Sequence, residues 1–188
     1  AGEVLGYYHL ASNRMTTFFM PHLERNVATI VHEATHQLAY NCGVQQRFAD
    51  NPVWVSEGMA MYFESPNFHA ASGWQGIGDI NHVNLKRWRN YVNVRPADSL
   101  VTLIGDDKRF RSAETATSAY GESWALTYFL IRTHKKEYVA YLRCLSDGKP
   151  MAALGPRERV QMFEQFFKKS IGDIDKDFVR YMSKEVAR

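Results

Sequence analysis

The residues of this chain that are best suited to chemistry lie in the stretch IVHEATHQLAYN, where His32, Glu33 and His36 follow the order H-E-x-x-H. If the stretch is helical, side chains four residues apart lie on one face, so both imidazoles can reach a single metal ion. Glu33 then points to a neighbouring position around that ion. The spacing therefore predicts a zinc site. The alternative is a pair of histidines on a helix surface with no metal.

A catalytic zinc site needs a third protein ligand and an open position for water. The segment PVWVSEGMAMYFES offers Glu57, which lies beyond His36 in a second predicted helix. The intervening loop is long enough for the two helices to pack side by side, and Gly58 and Ala60 would let their backbones approach closely. Glu64, on the same helix face as Glu57, is either a carboxylate that orients a ligand histidine or a solvated side chain at the helix end.

The two motifs together resemble those of the gluzincin metallopeptidases, in particular the aminopeptidase N branch. There, H-E-x-x-H-Q is followed by an Asn, and W-x-x-E-G-x-A is followed by an acidic residue. A closer likeness is to a group of poorly characterised bacterial zincin-like domains that share HEATHQL. The matching residues all lie within 30–64: His32, Glu33, His36, Gln37, Asn41, Trp54, Glu57, Gly58, Ala60 and Glu64.

The resemblance implies that His32, His36 and Glu57 bind Zn²⁺ and that Glu33 is the general base of peptide-bond hydrolysis. In that mechanism zinc lowers the pKa of its water and polarises the scissile carbonyl. Glu33 takes the proton of the water and later passes it to the leaving amine. We therefore expect a zinc-dependent peptidase whose partner is a peptide or protein substrate. The alternative is a zinc-binding, non-catalytic peptide-binding or scaffold module of a larger protein.

The family also has a tyrosine, in a stretch of the type S-Y-x-K-G at the start of a helix, that donates a hydrogen bond to the oxyanion. SAYGESWALTYFL has Tyr120 at the corresponding point, sixty-three residues after the glutamate ligand. Glu122 and Ser123 replace the lysine and glycine. In the first turn of a predicted helix, the hydroxyl of Tyr120 can face a cleft. Core packing is the alternative, because Tyr120, Trp124 and Tyr128 form an aromatic stripe.

One feature of the aminopeptidases is missing from residues 1–31. They bind the free amine of the substrate with a Gly-x-Met-Glu-Asn run on a strand before the zinc helix, so exopeptidase specificity is not supported here. The strand RMTTFFM stands where the edge strand of the family would lie along the substrate, and a peptide could pair with its backbone. Plain sheet packing would suit its apolar residues equally. The remaining histidines show no ligand spacing and receive no role: His9, His22, His69, His82 and His134.

The elements that must position these residues begin with a predicted β-hairpin. Two runs rich in β-branched and aromatic residues, VLGYYHL and RMTTFFM, flank the turn signal ASN. A helix from about residue 22 to 41 follows. Asp50 or Asn51 can cap the next helix, with Pro52 in its first turn. Residues 67–84 hold three glycines without a clear period and predict a long loop that rims the cleft.

The strand-poor, helix-rich order predicts an α+β fold that is predominantly α. The resemblance implies a zincin-like form of it, with a small N-terminal sheet, an active-site helix and a helical C-terminal half. We expect one domain over residues 1–188. Its parts are a β-hairpin (1–21), the zinc-binding helices (22–66), a loop-rich segment (67–117) and a helical subdomain (118–188).

Composition excludes some classes of partner. The 188 residues carry 23 basic and 20 acidic side chains. The net charge of +3 is too small, and the basic residues are too scattered, to indicate a nucleic-acid-binding surface. No run is long enough for a transmembrane helix, so we expect no membrane insertion by this segment. Cys42 and Cys144 form either one bridge or two thiols. The start at Ala1, without Met or a signal peptide, suggests an excised domain or a processed mature form and leaves the compartment open. Together with the missing Met, the family resemblance implies a bacterial protein in an extracytoplasmic (periplasmic or secreted) location. The substrate, endo- or exo-specificity and oligomeric state stay open.

Overall fold

A computed structural model describes residues 5–65 and 77–186 of the chain. These residues form one small antiparallel sheet followed by helices, which confirms the prediction of an α+β fold that is mainly α. The elements are β1 (Gly6–His9), β2 (Arg14–Thr17), α1 (Leu23–Asn41), α2 (Val53–Phe63), α3 (His82–Val92), α4 (Ser99–Gly105), α5 (Lys108–Arg111), α6 (Ala116–Thr133), α7 (Lys135–Ser146), α8 (Pro156–Phe167) and α9 (Ile171–Val186).

The hairpin contacts α1, and within residues 5–65 and 77–186 β1 pairs with no strand other than β2. Its strands are antiparallel with Gly6 opposite Thr17, and the N–H of Phe18 donates to the carbonyl of Leu5 at 2.8 Å. In an antiparallel pair, residue pairs that exchange hydrogen bonds alternate with pairs that do not. The backbone N–H and C=O groups of Gly6 and Tyr8 therefore point away from β2.

Helix α2 packs against both α1 and α6, and α6 is the centre of the core. The expectation that Gly58 brings α1 and α2 together is wrong. A Cβ at Gly58 would overlap the Thr127 hydroxyl and lie 2.8 Å from the Ser123 carbonyl oxygen, and both of those residues belong to α6. The glycine is needed where α2 crosses the central helix, because that is where the two backbones come closest.

The predicted cap of α2 is also wrong. Pro52 itself occupies the N-cap position, and neither Asp50 nor Asn51 caps the helix through its side chain. The N–H of Val53 instead donates to the carboxylate of Asp107 at 3.0 Å. The carboxylate of Asp50 is bound by an arginine of α8, so it is engaged in tertiary packing rather than in the helix start.

The end of the long predicted loop is helical. Asn81 is the N-cap of α3, and its side-chain oxygen accepts from the N–H of Asn84 at 3.0 Å. Residues 82–84 therefore belong to the first turn of α3. The part of this loop at 67–76 lies outside the described residues.

Glu122, which stands where the aminopeptidase stretch has a lysine, belongs to the core. Its side chain is fully buried and accepts from Arg95 Nε and from Arg109, each at 2.7 Å. The hydroxyl of Ser99 donates to the same carboxylate at 2.7 Å. A buried carboxylate needs such partners. The departure from the family stretch therefore serves packing and does not alter the cleft.

Cys42 and Cys144 are both free thiols, and Cys42 is exposed. Across the described ranges, no helix has the length and apolar character needed to cross a membrane.

Candidate metal centre

Three of the five polar side chains predicted for the site on α1 and α2 converge on one point. His32 Nε2 lies 3.3 Å from Glu57 Oε2, and His36 Nε2 lies 3.6 Å from Glu57 Oε1. One nitrogen or oxygen of each of the three residues lies within 4.8 Å of the others. Two imidazole nitrogens and one carboxylate oxygen are ligands that zinc accepts, and three protein ligands leave a position open. These three residues could therefore hold a metal ion such as zinc and leave one of its coordination positions open.

Glu64 supports this cluster from behind His32. Its Oε2 accepts from His32 Nδ1 at 2.6 Å, and its Oε1 accepts from Asn81 Nδ2 at 2.8 Å. Because Nδ1 donates to Glu64, Nε2 is the nitrogen that faces Glu57, and it could bind a metal ion once it has lost its own proton. Of the two roles considered for Glu64, the contact matches the one that orients a ligand histidine. The sequence alone predicts no role for Asn81, because residues 67–84 are assigned to a loop. The position of Asn81 just before the apolar residues of α3 is the pattern that indicates a helix cap.

The centre favours a positive charge. Burial alone would lower the pKa of His32, but its hydrogen bonds to Glu57 and Glu64 outweigh that effect and raise the pKa to about 10. Burial would likewise raise the pKa of Glu57, yet His32 and His36 lower it. Burial lowers the pKa of His36. The carboxylates thus stabilise a cation next to His32, and a metal ion competes there with a proton.

Glu33 lies beside the three donors but is not one of them. Glu33 lines the same cleft, and the residue is 7 % exposed. Burial raises the pKa of Glu33, while the neighbouring His32 and the backbone N–H of Tyr8 act in the opposite direction. A carboxylate whose pKa is shifted towards neutrality is suited to accept and return a proton.

Tyr120 lines the cleft from the opposite helix, α6. Because α6 begins at Ala116, Tyr120 lies in the second turn rather than the first. Burial and the charge of Glu57 raise the pKa of Tyr120 to about 12, so the phenol stays protonated at neutral pH and can donate. The aromatic stripe divides: Trp124 and Tyr128 pack together in the core with ring centres 5.6 Å apart, whereas Tyr120 packs edge-on against Phe110 at 5.4 Å.

The cleft has a volume of about 790 Å³, and its strand wall is β1. RMTTFFM contributes no residue to the cleft lining, so the pairing of a peptide with that strand stays a prediction, beside the alternative of plain sheet packing. A Cβ at Gly6 would lie 2.7 Å from Thr29 Cγ2 and 3.2 Å from Glu33 Cγ. Only a glycine lets β1 approach α1 this closely, and that approach forms the cleft wall.

Residues 26–152 match a family described as "Protein of unknown function (DUF1570)". The chain belongs to this family. The matched range contains the three converging donors as well as Glu33, Glu64 and Tyr120, while the hairpin lies before it. Neither the curated proteins nor the solved structures gave a match.

In this DUF1570 chain, two further motif residues of α1 hold the hairpin in place. Gln37 Nε2 donates to the backbone carbonyl of Asn13 in the hairpin turn at 2.8 Å. Asn41 accepts from Arg47, whose guanidinium also donates to the Asn13 side chain at 3.1 Å and to the Tyr8 hydroxyl at 3.2 Å. Arg47 was not anticipated, because nothing in its local sequence links it to the hairpin. Together these contacts clamp β1 over the cluster.

Within the described ranges of this DUF1570 chain, the other histidines form no second cluster of metal-ligating residues. His9 bonds to Ser12 at 2.7 Å, and His134 bonds to Thr133 at 2.7 Å. His69 lies outside the described ranges.

Proposed function

We propose that this protein is a zinc-dependent peptidase of the gluzincin type with a zincin-like fold. One observation carries the proposal: His32, His36 and Glu57 converge, while Glu33 and Tyr120 face the same cleft without joining the donor set. A purely structural zinc needs neither a buried carboxyl group nor a phenol beside it.

Zinc held by His32, His36 and Glu57 would supply Lewis acidity at a scissile carbonyl and lower the pKa of water. Glu64 keeps His32 in the tautomer that presents Nε2, through its contact at 2.6 Å. The residues of the chain then have separate tasks: three hold the ion, and Glu64 fixes the orientation of one of them.

Glu33 accepts the proton of the attacking water and returns it to the leaving amine. It must be ionised to accept, and its raised pKa makes the carboxylate a stronger base towards the water proton than an ordinary glutamate. Its position on α1, one residue after His32, brings it next to the donors. The N–H of Tyr8 helps to keep its carboxylate ionised.

Tyr120 donates to the oxyanion that develops on the substrate carbonyl. Its pKa of about 12 keeps the proton on the phenol throughout the neutral range. A single such donor contributes about 2.7–4 kcal/mol to the stability of the transition state in comparable enzymes.

The substrate is a peptide or protein bound in extended form along β1. The N–H and C=O groups of Gly6 point towards the cleft side, away from β2. An extended backbone can pair with such an edge by β-augmentation. This mode of binding recognises the backbone of the substrate, so any preference for particular substrate side chains must come from the other walls of the cleft.

The proposal is tested with Glu33→Gln and a peptide library, with and without a chelator. The matched control is Glu24→Gln, an exposed glutamate in the first turn of the same helix. Elemental analysis should find about one zinc per chain in all three proteins. Cleavage should be lost in Glu33→Gln and after chelation, and kept in Glu24→Gln. Unchanged turnover in Glu33→Gln would remove the mechanism, and a protein that cannot be loaded with zinc would remove the metal.

A non-catalytic, zinc-bearing binding module is the second candidate. It is favoured by the missing Gly-x-Met-Glu-Asn run and by a sheet of two strands in the described ranges. In that case wild type and Glu33→Gln would bind the same peptides with equal affinity, and neither would cleave them.

A further inference from the structure

The cleft has one cationic end. Helices α1 and α2 run antiparallel, since His32 contacts Glu64 near the end of α2, whereas Gln45 beyond α1 contacts Ser56 near its start. Arg25 precedes His32 in α1 and lines the cleft. Because the helices are antiparallel, it lies at the end of the cleft where Glu64 is. Arg87 of α3 also lines the cleft, and it contacts Asn84, which in turn donates to Glu64 at 3.4 Å, so it lies at the same end.

The position of Arg87 is fixed by its surroundings. One guanidinium nitrogen donates to Asn84 Oδ1 at 2.8 Å, and Asn84 is fully buried. At its base, Arg87 packs against α6 so closely that a Cβ at Gly121 would lie 2.7 Å from Arg87 Cβ. Gly121 directly follows Tyr120, so the guanidinium is held on the Tyr120 side of the cleft.

Arg87 makes no ion pair within residues 5–65 and 77–186. The three carboxylates that line the cleft have other partners: Glu64 contacts His32 and Asn81, and Glu57 contacts the two histidines. Glu33 accepts from the backbone N–H of Tyr8 and interacts with His32. A guanidinium has five N–H donors, and the Asn84 contact uses one nitrogen. An unneutralised, positioned arginine in a cleft is suited to a bidentate carboxylate.

We propose that Arg87 binds a carboxylate of the substrate and thereby sets specificity. The inference rests on the proposed peptidase function and names its substrate class: peptides with an acidic group on the Tyr120 side of the scissile bond. The carboxylate is either the C-terminus of a short peptide or an Asp or Glu side chain. Arginine suits this task better than lysine, because its planar fork matches both carboxylate oxygens.

Paired peptides separate the two sources. One pair of acetylated peptides differs only in a free or amidated C-terminus, and a second, amidated pair differs only in Glu or Gln within the sequence. We expect wild type to prefer the carboxylate member of one pair in kcat/KM, and Arg87→Gln to reduce that preference about 10- to 100-fold. Lys86→Gln, an exposed cation on the same helix, should leave it unchanged. The pair that discriminates identifies the source.

Measurements of peptide binding test the role of Arg87 separately from the proposed peptidase activity. Calorimetry with the same peptides on Glu33→Gln protein, and on Glu33→Gln/Arg87→Gln, measures the preference without turnover. If no peptide is cleaved by wild type but the carboxylate form binds more tightly and loses this advantage with Arg87→Gln, the peptidase proposal fails and the anion site stands. Equal affinity for acid and amide forms overturns the inference.

Two further variants test the assignment of the carboxylate site to Arg87. Arg87→Lys keeps a charge and should retain part of the preference, which a merely structural role for Arg87 would not predict. Arg25→Gln tests the other cation at this end of the cleft. If the preference is lost with Arg25→Gln and kept with Arg87→Gln, the assignment to Arg87 is wrong.

Discussion

Replacing Glu64 by Gln should weaken zinc binding although Glu64 is not a ligand. Both oxygens of Glu64 act as acceptors, Oε2 from His32 Nδ1 at 2.6 Å and Oε1 from Asn81 Nδ2 at 2.8 Å. A glutamine offers one acceptor and one donor, so either orientation of its amide sets a donor against a donor. The variant must therefore lose the contact to His32 or the contact to Asn81.

The size of the effect follows from the position of the contact. His32 and Glu64 are each less than one fifth exposed, so water replaces the lost contact poorly. Removing the outer partner of a metal-bound histidine typically costs 10- to 100-fold in metal affinity, or about 1.4–2.7 kcal/mol. We expect a loss of zinc affinity in this range for Glu64→Gln.

The assay is competition for zinc with a chromophoric chelator at fixed pH and ionic strength. Glu114→Gln, an exposed glutamate far from the cluster in sequence, serves as the control and should match wild type. Circular dichroism checks that both variants keep their helices. Wild-type zinc affinity in a folded Glu64→Gln protein would refute the role given to Glu64.

Three further outcomes follow from the geometry. Without metal the pKa of His32 is raised to about 10, so protonation of His32 stabilises the folded protein fully below the ordinary pKa of 6.5, and this stabilisation is lost as the pH rises through 10. Zinc must displace this proton, so the affinity for zinc should rise about tenfold per pH unit between pH 7 and 9. A zinc affinity that does not change with pH would contradict this prediction. Tyr120→Phe should lower kcat about 10²–10³-fold with zinc content unchanged, and a normal kcat would exclude the oxyanion role. Gly58→Ala should lower the free energy of unfolding by about 1–3 kcal/mol in urea titrations, because its Cβ overlaps the Thr127 hydroxyl; an unchanged midpoint would mean that α2 and α6 can separate freely.

The features that were predictable from sequence are those set by spacing along one helix. His32, Glu33 and His36 are fixed relative to one another by the geometry of α1, and Glu57 and Glu64 by that of α2. Once the two helices pack side by side, the cluster follows. The hairpin and most helices likewise have local signals in turn residues and apolar periodicity.

The features that sequence could not supply depend on which surfaces meet. Gly58 was recognised as a point of close approach, but local pattern cannot say that its neighbour is α6 rather than α1. The same holds for β1 as the cleft wall in place of β2. Glu122 stands where the similar family stretch has a lysine, and its burial depends on Arg95 and Arg109, which are distant in sequence. Tertiary contacts of this kind leave no periodic trace.

Asn81 joins two parts of the protein that would otherwise be independent. Its side chain caps α3 through the N–H of Asn84 and also supports Glu64 behind His32. The start of α3 and the metal centre are therefore ordered by the same amide group, and α3 carries Arg87. If zinc and a substrate carboxylate bind at these two points and both favour the same position of this amide group, each strengthens the binding of the other by the same factor, because a coupling free energy is reciprocal. The protein would then hold its metal most tightly in the presence of the substrates that it prefers.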